Sequence, residues 1–296
     1  MKKSTLFIAA LALGATTAFA QDLTSKKGET ILPEAGDWAI GVDATPMLSY
    51  FGNMLNGNTS NAPFGWNYTN ANGMITGKMF TSETSAYRAM LRIGFNSGSA
   101  TQEIMDATAT APTFPALPTM KEDKMKSSSR FIGLGAGIEM RRGKTRLQGY
   151  YGGMAMIWMS GGKDSYEYGN TLTTTSSAAA ISTNWGSNIN PATTYGANAR
   201  VLSEKAGSTL GIGVRGFIGA EYFILPKLSI GGEFGWGFGF SSTGMGETEY
   251  EAVAGAPATV GTVTETSGSK SSGLYIDTDN NAFGLAPASV LIHFHF

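Results

Sequence analysis

Residues 282–296 read Ala-Phe-Gly-Leu-Ala-Pro-Ala-Ser-Val-Leu-Ile-His-Phe-His-Phe, and this stretch decides the fold class. Counting back in twos, Phe296, Phe294, Ile292, Val290 and Ala288 are all apolar. The other parity carries His295, His293, Leu291 and Ser289 and is more polar. A repeat of two residues belongs to a β-strand with unlike faces. The last strand of a water-soluble sandwich would also alternate, so the remainder of the chain has to decide what the apolar face meets.

Working outward, the same alternation recurs. The first strand is predicted at Asp37–Thr45, with Trp38, Ile40, Val42 and Ala44 on one face and Asp43 on the other. After Pro46 the apolar residues Met47, Leu48, Phe51, Met54 and Leu55 fall at helical intervals, which reads either as one or two amphipathic helical turns or as more strand, the helix being preferred. Further strands are predicted at Gly73–Thr81, Ser85–Asn96, Ser128–Met140, Thr145–Ser160, Ser208–Phe223 and Leu228–Phe240. With the closing strand these make eight. Three connections are tight turns, at Ser82–Thr84, Arg141–Lys144 and Leu225–Lys227. Four are long and polar: Asn56–Asn72, Ser97–Ser127, Gly161–Gly207 and Ser241–Asn281. The two longest have room for a further strand pair.

Composition agrees with an all-β chain. There are 40 glycines among 296 residues, only 15% of residues are charged, and helical periodicity is nearly absent. Residues 1–20 have a basic start at Lys2 and Lys3, a short apolar middle and Ala18-Phe19-Ala20 before the expected cleavage point, the pattern of a secretion signal. Residues 21–36 are polar and form the expected periplasmic lead. The chain has no cysteine, which removes disulfides, thiol catalysis, cysteine metal sites and the acceptor of a lipid anchor. Nowhere do about eighteen apolar residues run together, so a helical span is not expected. The formal charge of −1 offers no basic excess for nucleic acid.

An even strand number, tight turns on one side and long loops on the other are the pattern of a closed, antiparallel, up-and-down transmembrane β-barrel. Aromatic residues fall where two interfacial belts would lie: Trp38, Tyr87, Tyr222, Phe294 and Phe296 on the turn side, Phe95, Phe238 and Phe240 on the loop side. On this pattern the chain from Asp37 to Phe296 resembles the small eight-stranded outer-membrane barrels of the OmpX and OmpA type. The resemblance implies residence in the cell outer membrane and contact with its lipid and lipopolysaccharide. It also implies a terminal aromatic signal, Phe294 and Phe296, read by the barrel-insertion machinery. No cofactor is implied.

With the apolar parity outward, charges gather inside: Asp43, Lys78, Arg88, Arg92, Glu139, Arg146, Arg215, Glu221, Glu233, His293 and His295. An eight-stranded barrel is only wide enough to be filled by side chains, and buried charges must pair. The expected interior is an ionic plug on the turn side. Above it the glycine-rich loop half is hollow unless Trp158, Met154, Met156 or residues 46–55 fill it.

Other patterns carry less. Gly211–Gly216 matches the dinucleotide fingerprint, which requires a strand-to-helix turn and here lies inside a strand. Asp277-Thr278-Asp279 opens like a calcium loop but lacks its glycine and its bidentate Glu. His293 and His295 are spaced to share a metal, yet read more simply as polar interior residues. They are the only histidines, both expected inside, which leaves no base for a lipid-cleaving triad. The expected function is a non-enzymatic scaffold presenting long external loops for adhesion, recognition or envelope integrity. The rival is a narrow channel, or a barrel that binds a small solute, gated by the interior Arg and Glu pairs.

Overall fold

The computed structural model describes residues 24–44, 50, 52–57, 75–277 and 289–296. The expected secretion signal, the calcium-like turn beyond Asp277 and most of residues 45–74 lie outside them. Of the expected amphipathic helix, residues 50 and 52–55 are described and are helical.

The chain is all-β and antiparallel, but among the described residues it has twelve strands rather than eight. They are β1 (Trp38–Asp43), β2 (Ile75–Ser82), β3 (Ser85–Met105), β4 (Met120–Arg142), β5 (Leu147–Glu167), β6 (Ala199–Lys205), β7 (Thr209–Leu225), β8 (Leu228–Thr243), β9 (Gly246–Ala254), β10 (Thr259–Ser267), β11 (Ser271–Asp277) and β12 (Ser289–His295). Eight of them pair in a cycle that runs β1, β2, β3, β4, β5, β7, β8, β12 and back to β1. Trp38 and Phe296 exchange backbone hydrogen bonds at the closure.

This ring is not a regular barrel of equal crossings. β1, β2 and β12 have 6, 8 and 7 residues, against 21, 23 and 21 for β3, β4 and β5. β8 is flanked by β12 along Leu228–Glu233 and by β11 along Gly237–Thr243. Among the described residues the ring therefore closes only toward the tight turns. Beyond Leu91, β3 has β4 as its one strand neighbour among the described residues.

The extra strands come from segments expected to be loops. Residues 97–105 and 120–127 continue the β3–β4 ladder without a break, from Ser85↔Met140 to Met105↔Met120. Within Gly161–Gly207, β5 runs on to Glu167, and β6 pairs with it and with β9. Within Ser241–Asn281 lie the β9–β10 hairpin and β11. Polar composition misleads here because a ladder that is wet on both faces needs no apolar alternation; its backbone bonds suffice.

Inside the ring the side chains form three tiers. Nearest the turns are Ala39, Phe80, Ala86 and Phe223, all buried, with the His295 ring 5.1 Å from Phe223 and 5.7 Å from Phe80. The middle tier is ionic. Above it Met90, Met154, Met156 and Trp158 form a buried cluster, with Phe131 and Tyr275 packed against it. Glycines make room for the large residues: a Cβ at Gly211 would stand 2.0 Å from the Trp158 indole, and one at Gly235 would stand 2.5 Å from the Arg215 guanidinium. Residues 24–36 lie across the turn-side mouth, with Ile31 and Pro33 buried. They form part of a cleft of about 720 Å³ shared with the β2–β3 and β4–β5 turns.

Candidate functional site

The middle tier is the most unusual chemistry in the chain. Lys78 on β2, Arg88 on β3, Glu139 and Arg141 on β4, Arg215 and Glu221 on β7 and Glu233 on β8 all have essentially no exposed surface. Strand alternation puts them there: each lies on the parity opposite the exposed apolar residues of its own strand. Two clusters meet. In the first, the Lys78 ammonium lies 3.2 Å from Glu139 and 3.3 Å from Glu221, and Arg141 bridges the same carboxylates at 2.7 and 2.6 Å. In the second, Glu233 accepts from Arg88 and, at 2.7 Å, from Arg215. Arg88 joins them, lying 3.6 Å from Glu139.

Aromatic faces complete the cations' surroundings. Arg88 lies 4.5 Å over the Phe217 ring, and Lys78 lies 4.8 Å over Tyr150. Such contacts strengthen when water is excluded. Glu221 is the most connected carboxylate. Besides the two cations it accepts from the Ser229 hydroxyl at 2.6 Å, and His293 Nδ1 lies 3.0 Å away. The other ring nitrogen of His293 is 3.3 Å from the Thr76 hydroxyl, and His295 Nε2 is 2.8 Å from Ser229. These contacts make a continuous buried network from β2 round to β12. Its charges are four cations against three carboxylates among the described residues.

Four sequence expectations change. Arg141, read as part of a turn, is a central member, because β4 extends to Arg142 and keeps the inward parity. Arg146 is not a member: it is half-buried beside the turn and donates to the Ile224 carbonyl at 3.0 Å. Arg92 is half-buried one tier higher, 4.6 Å over Phe131. Residues 21–36, expected as a polar lead, include buried residues over the mouth. The side chain of Asp43 lies outside the described residues. Phe294 and Phe296 point outward, exposed, as do Trp38, Tyr87 and Phe95. The Gly211–Gly216 motif lies wholly within β7. Among the described residues no three His, Asp or Glu side chains converge as a metal ligand set.

A second polar cluster lies beyond the ring. Asp123, fully buried at the far end of β4, accepts the amides of Gly169 at 2.8 Å and Thr183 at 2.7 Å. Buried Arg200 on β6 donates to Ser182 and to the Asn170 carbonyl, both at 2.8 Å, pairs with Glu251 and covers the Tyr168 ring at 4.3 Å. Tyr168 donates to the Val201 carbonyl at 2.7 Å, and burial pushes its phenol pKa up. Residues 168–198 are thereby pinned into a head with its own core of Leu172, Ala178 and Ile181. One signal for this head was visible in the sequence: Thr248, Tyr250 and Ala252 alternate with Glu247, Glu249 and Glu251.

The fold and site together define a β-protein of inverted polarity, with ions inside the ring and Ile, Leu, Val and aromatic side chains outside it. Compared with protein-family models and with curated proteins, the chain matches none.

Proposed function

We propose that this chain is a non-enzymatic integral outer-membrane β-barrel that carries a rigid external head for adhesion, recognition or envelope integrity. In this reading residues 1–20 direct export, the tight turns and residues 21–36 face the periplasm, and Phe294 and Phe296 serve as the assembly signal. The observation that carries it is the inverted polarity. Buried charges at the centre of a sheet whose outer face exposes Ile157, Ile212, Val214, Ile218, Trp236 and Phe238 make no sense in water. Hydrocarbon outside the ring accounts for both.

The dimensions support it. Outward apolar residues run from Leu210 to Tyr222 on β7. Twelve steps at about 3.3 Å make roughly 40 Å along the strand. A tilt of about 45° reduces this to about 28 Å, near the thickness of a bilayer's hydrocarbon core. Polar strand ends, such as Ser97–Ser99 on β3 and Ser127–Ser129 on β4, begin where that band stops. The head built on β5, β6, β9 and β10 stands on the same side, away from the tight turns, where loops on a rigid scaffold are suited to recognition.

Three filled tiers favour a sealed scaffold over a channel. The test is single-channel recording in planar bilayers, comparing the parent with Arg88→Ala and Glu233→Ala. The expected result is no conductance from the parent. Stepwise conductance in the parent that shifts in either variant would replace this reading with the gated channel.

A further inference from the structure

Just above the apolar band, on the outer face of β3, β4, β5 and β6, lies a cleft of about 510 Å³ lined by Phe95, Ser128, Arg130, Gly161, Lys163 and Lys205. Register places these residues together: Phe95, Arg130 and Gly161 form one row across three strands, and Ser128, Lys163 and Lys205 form the next. Lys163 and Lys205 are direct cross-strand neighbours on the same face, a pairing that is unfavourable unless an anion lies between or beside them. Lys205 has Glu247 at 3.3 Å, and nearby Lys126 has Glu167 at 3.1 Å. The side chains of Arg130 and Lys163 have no ion-pair partner among the described residues. Gly161 is the floor of the cleft: a Cβ there would stand 3.3 Å from the Ser208 hydroxyl and 3.8 Å from Arg130 Nε.

Directly below, toward the tight turns, the next row exposes Ile93 on β3, Met159 on β5 and Leu210 on β7. Cations over a short cleft, continuous with an apolar wall, complement a molecule with phosphate at one end and acyl chains at the other.

The geometry points to a site for the phosphate-bearing headgroup of an outer-leaflet glycolipid, held by Arg130, Lys163 and Lys205 while its chains lie along Ile93, Met159 and Leu210. This rests on the membrane-spanning reading above. Arg130 supplies a planar fork for phosphate oxygens, and the two lysines supply charge. Phe95, on the same row, offers a ring at the interface between headgroup and chain.

The full chain, purified in mild detergent, would be titrated with a phosphorylated lipid A disaccharide, with its dephosphorylated counterpart and with inorganic phosphate, and read by native mass spectrometry. The phosphorylated lipid is expected to bind. Its dephosphorylated form, and the triple variant Arg130→Ala/Lys163→Ala/Lys205→Ala, should each bind roughly tenfold more weakly. Inorganic phosphate should not displace the lipid at equal concentration. Equal binding of the two lipids, parent-like binding by the triple variant, or displacement by inorganic phosphate would each overturn the assignment. If the triple variant loses the heat-dependent gel shift of a folded barrel, amine labelling of the parent decides instead. Lipid should protect Lys163 and Lys205, and unprotected lysines would overturn the site. Alkaline extraction of reconstituted vesicles separates the two readings. A chain that washes out refutes the membrane reading itself, whereas one that stays in without headgroup preference refutes only this site.

Discussion

Replacing Glu221 by glutamine removes one charge from the centre of the ring while keeping the shape of the side chain. One carboxylate oxygen of Glu221 faces Lys78 at 3.3 Å and Arg141 at 2.6 Å; the other faces Ser229 at 2.6 Å and His293 Nδ1 at 3.0 Å. A glutamine can turn its carbonyl toward the two cations and its amide toward the hydroxyl and the imidazole, so packing and most hydrogen bonds survive. The charge balance does not. Four buried cations against three carboxylates become four against two. At an effective dielectric of about 20, each ion pair at about 4 Å is worth roughly 4 kcal/mol, and two such pairs are lost. Part of this is offset because a carboxylate no longer has to be desolvated, which leaves a net loss of about 3–5 kcal/mol. Urea unfolding in lipid vesicles measures it, followed by tryptophan emission and by gel mobility of unheated samples. The double variant Lys78→Met/Glu221→Gln, with three cations against two carboxylates, should recover part of the loss. A change in the single variant below about 1 kcal/mol would refute the claim that this network carries charge the fold depends on.

Two further outcomes concern the regions beyond the ring. Asp123→Asn keeps the side-chain shape but leaves one accepting oxygen for the amides of Gly169 and Thr183, so one bond is lost and the other is no longer charge-assisted, which should cost the head roughly 2 kcal/mol of local stability. Limited proteolysis of intact cells should then cut within residues 168–198 before any strand of the ring is lost. At the end of β3, hydrogen bonds from the Thr108 hydroxyl and amide, together with Lys121 at 3.0 Å, hold the Asp106 carboxyl at about 2, below its usual 3.8. A depressed carboxylate stabilises fully above its unfolded value and stops doing so as pH falls through the folded one. The protection of the Thr108 amide, taken as its exchange rate relative to the intrinsic rate at each pH, should therefore hold at neutral pH and fall only as pH drops from about 4 toward 2; protection already lost near pH 6 would contradict it.

The inward parity of Lys78, Arg88, Glu139, Arg215, Glu221, Glu233, His293 and His295 was legible because a strand buries every second residue and the alternation on these strands is clean. Arg141 escaped because the sequence Arg-Arg-Gly-Lys looks like a turn, and only the register of β4 against β5 shows that Arg141 still faces inward. Arg146 was misplaced for the converse reason: it precedes the first paired residue of β5 and reaches a carbonyl on β7 instead. Of the head, only the alternation over residues 247–252 was legible. Its polar strands are held by partners such as Asp123 and Thr183, 60 residues apart in sequence.

The sequence alone determined the all-β class, the tight turns and which face of each strand is oily, because these follow from local periodicity and from turn residues within a few positions. Tertiary structure decided that, among the described residues, the eight-strand ring closes only in part and four further strands grow out of what look like loops. It also decided that the ions assemble as two bridged clusters between floors of Phe80 and Phe223 and of Met154 and Trp158. Those features depend on register between distant strands. In a long polar ladder, backbone hydrogen bonds set that register, and they leave almost no mark on composition.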